Sequence, residues 1–186
     1  MKTDYDPINH IYKIDGRVVP SCTQVLASCG FIDSGWFTEE SRERGNEIHY
    51  LCEQDDIRSE DLESQKGYLY LQSWKKFKKD FKPVFLEIEQ PHFSETYQMG
   101  CTPDRIAEFN GDIWILDIKT GAKAPWHVLQ LVGNRLCTGY RSSRMADIYL
   151  CETGYKFVAH PEVCPQQEQI FQCALTVTQA KLAIGL

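Results

Sequence analysis

The run DIWILDIK at residues 112–119 constrains the fold more than any other stretch of the chain. In an extended strand, alternate residues share a side. Ile113, Ile115, Asp117 and Lys119 therefore fall on one face, and Trp114, Leu116 and Ile118 on the other. Both faces are apolar until Asp117, so both must be covered by another layer. A sheet with helices on each side is the expected answer. Asn110-Gly111, directly before the run, is a strong two-residue hairpin signal and predicts an antiparallel partner at 103–109. Thr120-Gly121 then breaks the strand, which leaves Asp117 and Lys119 at the edge of the core.

The rest of the chain reads around that sheet. Asp15-Gly16 predicts a small hairpin within HIYKIDGRVV. Ser21 and Gln24 form a capping-box pattern for a short helix to about Ser28, with Gly30 at its end. A second helix is expected from Thr38 to about Gln54, with Glu39 and Glu40 favoured near its N-terminus. Residues 55–64 read as an acidic surface loop. A third helix, 64–81, turns Leu69, Trp74, Phe77 and Phe81 inward and stops before Pro83. Strands are expected within 84–90, 96–100, 103–109 and 112–119, then a helix over 125–140 opened by Pro125. A strand pair turning at Thr153-Gly154 and a helix over 165–184, stepping through Ile170, Ala174, Val177 and Lys181, complete the chain. The expected class is α/β (α+β), a central mixed sheet flanked by helices. The 186 residues predict one domain, with 1–37 an N-terminal hairpin and short helix and 38–186 the core.

Composition narrows the function. The net charge of −6 excludes binding of nucleic acid through bulk positive charge, yet leaves room for a local basic groove. No apolar run reaches the roughly 18 residues of a membrane span, and MKTDYDPINH has no apolar signal core. A soluble cytoplasmic protein without membrane partners is the expectation. The eight cysteines contain no CxxC, which argues against a zinc ribbon and favours buried or inert thiols.

The chemistry concentrates in GCTPDRIAEFNGDIWILDIKTG. Asp104 and Asp117 each lie six residues from the nearer Asn110-Gly111 turn residue, which sets them opposite one another. Opposed residues in an antiparallel pair have Cβ atoms about 4.5–5.5 Å apart. Two carboxylates that close call for a cation, and Mg²⁺ suits oxygen ligands; the Ile118 carbonyl is a further candidate. Lys119 would orient or deprotonate a water, or stabilise charge developing on a phosphate. The bland alternative is an ordinary cross-strand charge cluster at a sheet end.

His49, in RERGNEIH, gains meaning only by joining those carboxylates. The ordered set Arg44-Gly45-x3-His49, Gly100-x3-Asp104, Asp117-x-Lys119 and Gln130 resembles the PD-(D/E)XK nuclease superfamily. The nearer branch is its RecB-like exonucleases, which include CRISPR adaptation nucleases and many phage enzymes. HIYKIDGRVVPSCTQVL is similar to the start of phage members. The resemblance spans about residues 10–140 and implies a restriction-endonuclease-like core and a Mg²⁺- or Mn²⁺-dependent DNA exonuclease, phage or prophage encoded and linked to recombination, repair or replication. It implies that His49, Asp104, Asp117 and the Ile118 carbonyl ligate the metal and that Lys119 is the catalytic lysine. Gln130 would fix the DNA phosphate or that lysine. It also implies a phage recombinase or replication protein as partner, work in the host cytoplasm, and an oligomer in some relatives. The Tyr that often follows Gln by four residues is Asn134 here, and Tyr140 is two turns away. Some relatives hold a four-iron cluster; Cys22 or Cys29 with Cys151, Cys164 and Cys173 are too widely spaced, so a cluster-free member is expected.

Other residues carry two readings each. Glu87 or Glu89 faces the metal, or both are surface charges; Glu47 reads as surface. KKFKKDFK, with Lys75 and Lys79, is a solvated helix face or a DNA-backbone contact. Arg44, Arg105 and Lys123 flank the motifs and could meet phosphates. Trp36, Phe37 and Trp126 stack on bases or pack internally. Rival functions are a structure-specific endonuclease and a catalytically inactive DNA-binding or adaptor module of the same fold.

Overall fold

Short strands open the chain. In the computed structural model, which describes residues 1–32, 38–58, 65–161 and 165–185, β1 (Thr3–Asp6), β2 (Ile11–Ile14) and β3 (Arg17–Val19) form an antiparallel sheet. Asp15 and Gly16 turn β2 into β3 at φ 48° and 79°, the paired left-handed conformation that Asp-Gly favours. The β1 strand was not expected; four residues with two charges and no clean alternation give little signal. Helix α1 (Cys22–Ser28) starts in the expected capping box: Ser21 accepts from the Gln24 amide, and the Gln24 side chain accepts from the Ser21 amide at 2.9 Å.

Helix α2 (Glu39–Ile57) is capped by Thr38 and runs three residues beyond Gln54. That extension corrects the acidic loop: Asp55 is buried, and the Asp56 carboxylate is fully enclosed. The rest of the expected loop, 59–64, lies outside the described residues. Helix α3 (Tyr68–Phe81) begins after Gly67, held at φ 90°, not at 64. Its inward residues are Leu71, Trp74 and Phe77; Leu69 is exposed instead.

β4 (Val84–Ile88), β7 (Arg105–Phe109) and β8 (Asp112–Lys119) follow, with the small pair β5 (His92–Ser94) and β6 (Met99–Cys101) between them. Then come α4 (His127–Thr138), β9 (Arg144–Cys151), β10 (Gly154–Ala159) and α5 (Pro165–Ala183). The main sheet has the order β10-β9-β8-β7-β4. Only β8 and β9 are parallel, as they must be when α4 carries the chain over the sheet between them. The other neighbours are antiparallel, so the sheet is mixed, as expected.

Both faces of β8 are covered. Ile115 packs with Ile106 and Met145 in a cluster with residues of α1, α4 and α5. Trp114, Leu116 and Ile118 pack in a second cluster with Ile48 and Leu51 of α2 and Trp74 and Phe77 of α3. Because Val25 and Leu26 of α1 sit in the first cluster, the short N-terminal helix shares the core of the larger segment. Among the described residues, no helix is long and apolar enough to cross a membrane.

Two glycines are fixed by close approach. A Cβ on Gly100 would overlap the Tyr12 ring, which ties the N-terminal sheet to the strand leading into Asp104. A Cβ on Gly133 would meet Phe171 at 2.5 Å and Cys22 Sγ at 2.9 Å, where α4 crosses α5 and α1. Gly133→Ala should therefore destabilise by about 1–3 kcal/mol despite alanine's better helix propensity, read as a lower urea midpoint.

Candidate metal centre

The register of the β7–β8 hairpin builds the site. Arg105 pairs with Leu116, so the next step outward sets Asp104 against Asp117, as the turn spacing predicts. Asp104 Oδ2 accepts from the Ile118 amide, which orients the carboxylate and leaves Oδ1 free to face α2. There it meets His49 Nδ1 at 3.5 Å. The other ring nitrogen, Nε2, lies 2.9 Å from the Ile118 carbonyl. A carbonyl only accepts, so Nε2 carries the proton and Nδ1 is the nitrogen presented to the carboxylates.

The third member is Glu89, just past β4, whose Oε1 lies 4.0 Å from His49 Nδ1. Ligand atoms of His49, Glu89 and Asp104 all fall within 4.8 Å of one another. Burial alone would lower the His49 pKa, but Asp104 and Glu89 outweigh it and hold the imidazole above its ordinary value. Burial and Asp104 together push Glu89 up. The cluster thus concentrates negative charge that a proton on His49 partly offsets, and a divalent cation would replace that proton. Two carboxylate oxygens and one imidazole nitrogen suit Mg²⁺ or Mn²⁺ and leave coordination positions for water and substrate.

Asp117 stands beside this trio and not within it. Its carboxylate pairs with Lys119, whose Nζ also donates to Gln130 Oε1 at 2.8 Å and lies 5.1 Å from the Trp126 ring centroid. Gln130 therefore holds the lysine, one of its two expected roles. Burial opposes the Lys119 charge, but Asp117 and Asp104 outweigh it and keep the ammonium protonated. Burial, Asp104 and Asp147 push Asp117 up to about 7, against the pull of Lys119.

Several expected contacts fall elsewhere. Arg105 does not meet DNA: its side chain is fully buried and pairs with Asp56 at 2.9 Å and Glu89 at 3.2 Å. Lys75 pairs with Asp55 at 3.2 Å, which favours the solvated-face reading; Lys79 is exposed on α3. The Ile118 carbonyl is engaged by His49 and acts on the site through that ring. Glu87 turns away to His92 and to the Tyr140 hydroxyl, so Glu89 is the acidic residue at the site. Lys123 is exposed in the β8–α4 loop, and Arg44 is half-buried on α2, five residues before His49. Cys22, Cys52, Cys101 and Cys137 are buried free thiols, and Cys151 and Cys173 are exposed ones. Trp36, Phe37 and Cys164 lie outside the described residues.

The sequence reading missed a neighbouring polar group. Asp147 of β9 pairs in register with Asp117 and is fully buried. It accepts from His160 at 2.7 Å and from the Tyr149 hydroxyl at 3.4 Å, and Tyr149 reaches His127 Nδ1 at 2.7 Å. The chain of contacts anchors the start of α4, one turn before Gln130. An aspartate in the apolar strand MADIYLC, two residues before a tyrosine, was its only signal.

The Asp117 shift carries a pH signature in metal-free protein. A carboxyl with a raised folded pKa favours the native state below its unfolded value near 3.8, and that contribution is lost as pH rises through about 7. Asp117→Asn removes the loss. Its stability relative to the parent protein should rise by on the order of 2 kcal/mol between pH 5 and pH 8 in EDTA, measured by urea denaturation.

No protein-family model matches the chain, and no curated protein matches it. Among solved structures, one titled "Crystal structure of SSO0001" aligns at 13% identity, covering 86% of this chain and 83% of that one, with a TM-score of 0.39. A likeness that slight carries no argument about fold or function.

Proposed function

We propose that the protein is a Mg²⁺- or Mn²⁺-dependent deoxyribonuclease of the exonuclease type, a member of the PD-(D/E)XK superfamily in its RecB-like branch. One observation carries the reading. His49, Glu89 and Asp104 gather a cation-sized set of donors beside Lys119, Asp117 and Gln130 at the end of β8. Five of these six residues are the ones the ordered motifs name.

A bound divalent ion supplies Lewis-acid charge at a phosphate and makes water a better nucleophile. The protein residues divide the remaining work. The Ile118 carbonyl and Asp104 fix the His49 ring, and the Ile118 amide fixes Asp104 in turn. Lys119, held charged by Asp117 and Asp104 in the metal-free protein, would donate hydrogen bonds to a phosphate oxygen. Gln130 accepts from Lys119 Nζ and shares it with Asp117, while the Trp126 ring lies over the ammonium. Exposed Lys123, four residues after Lys119 in the β8–α4 loop, would meet the DNA backbone in this reading.

The test uses end-labelled linear DNA, single- and double-stranded, beside closed circular DNA, with Mn²⁺, Mg²⁺ or EDTA. The expected result is metal-dependent loss of linear substrate alone. Lys119→Met and Asp104→Asn should each reduce the rate by at least 10²-fold, in protein shown folded by circular dichroism. Cleavage of the circle would replace the exonuclease with an endonuclease. Binding without cleavage in any lane would leave an inactive DNA-binding module.

A further inference from the structure

Arg105 is the least expected residue of the fold. It is fully buried, yet sits next to Asp104 and points to the opposite face of β7, against Trp74 and Phe85. A buried guanidinium is costly unless each end is paired. Here Nε donates to Asp56 at 2.9 Å, Nη1 donates to Glu89 at 3.2 Å and to the Asp104 carbonyl at 2.5 Å, and Nη2 is buried without a hydrogen-bond partner among the described residues. Asp56 is itself enclosed, and takes Trp74 Nε1 at 3.0 Å and Lys78 Nζ at 2.5 Å. His49 and Asp56 are seven residues apart on α2, so two helical turns place them on one stripe, with Glu89 and Arg105 bridging them.

Glu89 does not reach the centre by ordinary strand geometry. The register of β4 slips between Phe85 and Glu87, and Glu89 adopts φ 47°, a left-handed conformation that a glutamate seldom takes. Its amide donates to the Asp104 carbonyl at 3.1 Å. The same carbonyl accepts from Arg105, so main chain and side chain of Glu89 are both tied to the Asp104–Arg105 start of β7.

We propose that Arg105 is a positioning residue for the metal centre: clamped by Asp56, it holds Glu89 in the cation site as a third protein ligand beside His49 and Asp104. This rests on the metal-centre reading above. With an ion bound, Glu89 would be shared between the guanidinium and the cation, so Arg105 would tune the ion's affinity without touching substrate.

The experiment measures Mn²⁺ binding to the 186-residue chain by the loss of the free-ion electron paramagnetic resonance signal. Glu89→Gln should raise the Mn²⁺ dissociation constant about 10–100-fold, and Arg105→Lys, which keeps charge but loses the fork, by a similar factor. The double variant should be no weaker than Glu89→Gln alone, because both changes remove one contact. Asp56→Asn supplies the same test if Arg105→Lys fails to fold. Wild-type Mn²⁺ affinity in a folded Arg105→Lys or Asp56→Asn protein would overturn the proposal, as would losses that multiply in the double variant. A purely structural Arg105 would lower the melting temperature and leave Mn²⁺ affinity unmoved. Mn²⁺ coupling as expected without any DNA cleavage would overturn the nuclease reading and keep the positioning role. Failure of the parent protein to bind Mn²⁺ would overturn both.

Discussion

Carboxylates crowded at the end of one strand pair govern this structure. Asp104 directly before β7, Asp117 on β8 and Asp147 on β9 are each nearly or wholly buried, with Glu89 at their flank. Charges so placed repel strongly and would not remain ionised without compensation. The fold supplies it from several directions. Lys119 rises from the same strand, His49 from α2, Arg105 from β7 and His160 from the segment after β10. The helices pack where they do partly because their apolar faces need the sheet, and partly because these partners must arrive at one place.

The layers then divide the tasks. The α4 side presents Gln130 and Trp126 to Lys119, and its first turn is pinned through His127 to Tyr149 and Asp147. The α2–α3 side presents His49 and the enclosed Asp56–Lys78 pair that steadies Arg105. The reactive groups of the proposed nuclease thus stand on rigid elements, and loops contribute mainly exposed charge such as Lys123.

Much of this was legible in the sequence where one local rule dominates. Asn110-Gly111 sets the β7–β8 register, and that register alone brings Asp104 to Asp117. Ser21 with Gln24, and Thr38, mark their helix starts through hydrogen bonds that need no tertiary partner. What escaped depends on events between distant segments. Glu89 differs from Glu87 by its own left-handed backbone, two residues past a register slip in β4, which no alternation pattern reveals. Arg105 looks like surface charge until Asp56, forty-nine residues earlier, is seen to enclose it. Asp56 itself looked like part of an acidic loop because its helix gains stability from burial against α3, not from capping signals.

The central claim is that this charge balance is completed by a divalent ion. The most direct test is anomalous diffraction from crystals soaked in Mn²⁺. The account predicts one strong peak about 2.0–2.3 Å from His49 Nδ1 and from oxygens of Glu89 and Asp104, with Lys119 still held by Gln130. No peak at that position, with His49, Glu89 and Asp104 arranged as described, would contradict it and leave the cluster a structural network of buried charges.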